Sequence, residues 1–150
     1  MVAETYSGFA QRYSMVIGVL LSVLITNVLF LILPTGFFFD GDIILVIGGS
    51  IGLFFTFKYR KEYQSHIKTG VIVGLTSSIL SLLLIGFFDY IFYWIPVYGF
   101  DVLLLLQYLL FLLMNYSILY VLVGVIMGYL FGNHYKKKED PAQKTPYFKK

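Results

Sequence analysis

The lysines and arginines of this chain, eleven in all, fall into three clusters: Arg12, the stretch Lys58 to Lys68, and the tail from Lys136 onward. Long apolar runs separate the clusters. The two remaining connections, residues 34–42 and 96–101, hold no cation and carry Asp40, Asp42 and Asp101 instead. Basic residues gather on the cytoplasmic side of membrane spans. An apolar helix of about 20 residues crosses a hydrocarbon core ~30 Å thick. The charge pattern therefore predicts an all-α polytopic membrane protein with four transmembrane helices and both termini in the cytoplasm.

Only 13% of the residues are charged and 59% are hydrophobic, whereas soluble domains carry about a quarter charged residues. The net charge of +3 sits beside spans, where topology requires it, so nucleic acid is not an expected partner. The absence of cysteine excludes disulfides, thiolate metal sites and cysteine nucleophiles. No Ser-His-Asp order, HExxH motif or phosphate-binding glycine loop occurs. His66 and His134 have no partner at metal-ligand spacing. The reading is thus non-enzymatic, with no cofactor and no metal.

The expected spans are residues 13–33, 42–57, 69–95 and 102–132, forming one transmembrane domain over 1–132. Residues 133–150 make a polar, basic tail, expected to lie disordered in the cytoplasm. Pro34 and Pro96 are expected to close the first and third spans, since proline cannot continue the helical hydrogen-bond ladder. The second span is short, ~24 Å at 1.5 Å per residue, and the fourth is long, ~47 Å. The two anionic connections resemble each other: proline, glycine, aromatic, then Asp40 or Asp101 just before a helix. An aspartate there accepts hydrogen bonds from the orphan N–H groups of the first turn. The likeness suggests two tandem helical hairpins in a parallel repeat.

Every span has a stripe of small residues at four-residue spacing. These are Ser14, Gly18, Ser22 and Thr26; Gly48, Gly52 and Thr56; Gly70, Gly74 and Ser78; and Gly124, Gly128 and Gly132. Helices in lipid gain little from hydrophobic burial, so close packing over small residues takes its place. The glycines cluster toward the cytoplasmic ends, and that half of the bundle is expected to be tight.

Three polar residues stand out within the apolar runs. Asn27 and Asn115 each lie nine positions from a stripe glycine, and nine steps of about 100° make half a turn. Both are expected to point away from their helix's glycine face, where interhelical hydrogen bonds or a polar crevice would satisfy them. Asp89, ~31 Å along the helix from Lys68, is expected at the outer interface among aromatic rings. The function that fits best is an association or assembly component, with a second copy or a membrane complex as partner besides the lipid bilayer. The alternative is a small channel or transporter whose polar path uses Asn27, Asn115 and Asp89.

The run Gly48-Gly49-Ser50-Ile51-Gly52, the basic hairpin, and Gly70-Val71-Ile72-Val73-Gly74-Leu75 resemble a pattern of small archaeal four-helix membrane proteins of unknown function. The resemblance implies a membrane bundle and no catalytic residues. No glutamate lies in the first span, unlike small multidrug transporters.

Because the chain has no cysteine, single-cysteine variants label without background. Cysteines placed within 58–68 and 133–150 should react with an impermeant maleimide only from the cytoplasmic side. A cysteine at Gly99 should react only from the opposite side.

Overall fold

The computed structural model describes residues 13–33, 41–59 and 65–139. The flank at Arg12, residues 34–40 with Pro34 and Asp40, residues 60–64 of the basic loop, and the tail from Asp140 lie outside the described residues. Every described element is helical: α1 (Ser14–Ile32), α2 (Gly41–Lys58), α3 (His66–Asp89), a π-helical turn (Tyr90–Trp94), α4 (Ile95–Tyr98) and α5 (Val102–Glu139). Three helical stretches are long and apolar enough to cross a membrane: Ser14–Ile32, His66–Tyr98 and Val102–Lys136. The apolar part of α2, Ile43–Lys58, is shorter.

Two boundaries differ from expectation. Pro96 does not close the third helix, which continues to Tyr98. The π-turn ahead of it shifts the ladder, so that Ile95 N–H bonds to the Tyr90 carbonyl five residues back. Pro96 then falls in the first turn of α4, where its fixed φ suits the helix. Termination falls to Gly99, whose φ of 78° is open to glycine at no steric cost. The other difference is α5, one unbroken helix that passes Gly132 and ends at Glu139. Lysine is a good helix former, and positive charge near a helix C-terminus opposes the negative end of its dipole. At its start Asp101 is the expected cap. Its Oδ1 accepts N–H bonds from Leu103 at 2.8 Å and Leu104 at 3.4 Å.

Two antiparallel pairs organise the bundle, α1 with α2 and α3 with α5. In the first, Gly18 lies against Gly52 and Thr56, and Gly48 against Ser22 and Thr26. In the second, Gly70 meets Gly128, Gly74 meets Gly124, and Gly132 meets the backbone at His66. A Cβ at any of these glycines would run into backbone or side chain of the facing helix. The backbones approach closely because no side chain holds them apart. Two hydroxyls beside these seams fold back onto their own helix: Thr56 Oγ1 donates to the Gly52 carbonyl at 2.9 Å, and Ser77 Oγ to that of Gly74 at 3.1 Å.

Aliphatic core is small by comparison. Leu53, Phe57 and Val73 form one cluster, and Leu45, Leu82, Ile85 and Tyr120 another. Phe57 stacks on Tyr135 of α5 at 4.9 Å between centroids. This fixes the Lys58/His66 end, which is also the end where the glycine contacts of α3 and α5 concentrate.

Gly128→Val should therefore push α3 from α5 and destabilise the fold by about 1–3 kcal/mol or more. Gly49 has no atom within 4 Å of a Cβ position. Gly49→Ala should be neutral, or stabilising by up to ~1 kcal/mol through helix propensity. Reversible unfolding in mixed micelles measures both.

Candidate functional site

The far end of α3 and α5, away from the glycine contacts, holds the polar groups. Asp89 is the last residue of α3. Tyr108 of α5 donates its hydroxyl proton to Asp89 Oδ2 at 3.1 Å. Next along the chain, Tyr90 opens the π-turn and is fully buried. Its hydroxyl donates to the Asp101 carbonyl at 2.7 Å and accepts the Asp101 N–H at 3.1 Å. One tyrosine thus satisfies both backbone groups of the residue that caps α5. The Tyr108 ring lies 5.4 Å from Trp94 and 6.5 Å from Tyr90, closing an aromatic corner.

A π-turn adds a residue to the helical repeat and rotates the side chains that follow, and such turns recur at functional sites. Here it sends Tyr90 inward while Phe92 and Tyr93, at 57% and 65% exposure, face outward. Asp89 sits between two hollows. One, about 510 Å³, lies between the end of α1 (Phe30 to Leu33) and the junction of α3 with the π-turn (Asp89, Phe92, Tyr93). The other, about 250 Å³, lies between α3 and α5 and is bordered by Asp89, Tyr108, Tyr116 and Tyr120.

The remaining residues singled out from sequence fall elsewhere. Asn115 is exposed on α5, opposite the buried Gly124, as expected. Its Nδ2 donates to the Phe111 carbonyl at 2.8 Å. Asn27 lies half a turn from Gly18 on α1. It is buried, at 3% exposure, beside Thr26 of the small-residue stripe. The helix α1 packs against both α2 and α3. Asn27 Nδ2 donates to the Val23 carbonyl at 2.8 Å, and Oδ1 has no partner among the described residues. Ser22, Thr26 and Ser81 hydroxyls share that condition. Neither hollow bordered by Asp89 has Asn27 or Asn115 in its wall. The side chains of Asp40 and Asp42 lie outside the described residues.

From sequence, Asp89 and Asp101 stand out, but Tyr90 and Tyr108 are not identified as their partners. Their pairing with Asp101 and Asp89 was missed. A signal was present: Asp89 and Tyr108 lie at nearly equal chain distances on either side of the Gly99 turn, so an antiparallel hairpin sets them level. Comparison of the chain with protein-family models, curated proteins and solved structures found no match.

Tyr90→Phe removes both hydrogen bonds to Asp101, so that its N–H loses its partner while its carbonyl keeps only the Leu105 N–H at 3.0 Å. It should destabilise the fold by about 1–3 kcal/mol in the same unfolding assay. Ser81→Ala, which deletes an unpartnered buried hydroxyl, should be neutral or slightly stabilising.

Proposed function

We propose that the chain is a four-span integral membrane protein, with both termini and the basic tail in the cytoplasm, that works by associating with a second copy through the exposed face of α5. Charge sorting supports the topology. The two glycine-packed pairs support the hairpin layout, since Gly18/Gly52 of the first corresponds to Gly70/Gly128 of the second, and Ser22/Gly48 to Gly74/Gly124. The glycine stripes are used up within the chain, so association falls to other surfaces.

The observation that carries this reading is Asn115 on α5. Only 11% of the apolar window of α5 is buried inside the chain. Met114 is 80% exposed and Ile118 69%, and Asn115 lies exposed among them. A lipid-facing amide forfeits hydrogen bonds that hydrocarbon cannot replace. One amide hydrogen of Asn115 is held by Phe111. Its carbonyl oxygen and second hydrogen remain for a partner. Across a two-fold axis, two copies of Asn115 satisfy each other reciprocally. A polar path through the bundle has less support, because Asn27 is buried and Asn115 exposed, and neither borders the Asp89 hollows.

Cysteines at Ile118 should cross-link between chains in membranes. Asn115→Leu should weaken dimerisation by roughly 3- to 30-fold, the equivalent of ~0.6–2 kcal/mol. Native mass measurement that finds only monomer in mild detergent, with cross-linking absent in membranes, would remove this reading.

A further inference from the structure

The groove of about 510 Å³ between the end of α1 and the π-turn has the chemistry of a cation site. Asp89 stands in its wall, with Oδ2 held by Tyr108 and Oδ1 carrying no hydrogen bond among the described residues. Its own stretch of chain brings no cation near it, since no lysine or arginine occurs between Lys68 and Lys136. The facing wall is the last turn of α1, which contains no basic residue. The final carbonyls of a helix lack intrahelical partners and form the negative end of its dipole. A carboxylate and a helix C-terminus thus border the same space, and both favour positive charge.

The remaining walls identify the cation. Phe30, Phe92 and Tyr93 border the groove. Hard divalent ions require six or more oxygen ligands. Among the described residues, no group of three or more carboxylate, histidine or cysteine side chains is placed to hold a metal. Aromatic faces attract organic ammonium groups within about 6 Å. The volume lies in the range of small-molecule sites, ~300–1,000 Å³, ample for a trimethylammonium group.

We propose that this groove binds an organic ammonium group, with Asp89 as its counter-ion and Phe92 and Tyr93 as aromatic walls. The site is independent of α5 association. It draws on the membrane reading only for one source of the ligand: that reading puts Asp89 at the outer interface, where an ammonium-bearing lipid headgroup would sit, and a free ammonium solute is the other source.

The test uses the full chain purified in maltoside, a detergent without a cationic group. Choline binding is followed by ligand-observed NMR against its uncharged isostere 3,3-dimethylbutanol. In parallel, lipid retention is measured after reconstitution in vesicles of equal phosphatidylcholine and phosphatidylglycerol. Choline should bind saturably and the isostere at least about tenfold more weakly. Asp89→Asn, which keeps an acceptor for Tyr108, should weaken binding about tenfold or more. Phe92→Leu or Tyr93→Leu should weaken it roughly three- to tenfold. Choline binding supports a free ammonium solute. Phosphatidylcholine retained over phosphatidylglycerol and lost in Asp89→Asn, without choline binding, supports the headgroup. The proposal is overturned if neither ligand binds, if the isostere matches choline, or if folded Asp89→Asn matches the parent chain.

Discussion

The arrangement rests on backbone meeting backbone where α3 crosses α5. Gly70 and Gly74 lie directly against Gly128 and Gly124, and Gly132 reaches the chain at His66. No large core compensates for this contact. The two aliphatic clusters hold only a few fully buried side chains. Helices of such uniform apolarity have little to gain by hiding one face, so dispersion over a close seam is what remains to hold them in register. The α1–α2 seam repeats the device with Gly18, Ser22 and Thr26 against Gly48 and Gly52.

Tight packing at one end leaves freedom at the other. Beyond Tyr120, toward its N-terminus, α5 has no buried residue. There the helix pair is held by hydrogen bonds and rings rather than by glycine: Tyr108 to Asp89, Tyr90 to Asp101, and Trp94 against Tyr108. The π-turn belongs to this economy of space. It leads the chain on past Pro96, and it aims Tyr90 at the cap of α5. The same turn leaves Asp89 beside the open end of α1. A structural device and a charged groove therefore share the same few residues.

Much of this could be read directly from the chain. Apolar length marks the three long helices and the shorter α2, because a helix needs a set number of residues to cover a given thickness. Asp101 as a cap follows from its place before an apolar run, since the first turn of any helix needs acceptors for its N–H groups. The glycine stripes follow from four-residue spacing alone. What escaped was whatever depends on the neighbours of a helix. Asn27 lies half a turn from Gly18, and that spacing alone does not say whether a neighbouring helix or open surface meets it; it is buried. Pro96 carries a general rule about termination that a one-residue shift in the ladder suspends.

Residue order alone determined which segments are helical, where cations and anions separate, and which faces carry no side chain to keep backbones apart. These are local properties, governed by turn geometry and by the solvation of each residue. Only the tertiary structure decided which glycine faces which, that Tyr108 reaches Asp89, and that Asn115 stays outside while Asn27 goes in. Those outcomes depend on how many neighbours each helix acquires and at what angle, and no periodicity within one helix specifies its neighbours.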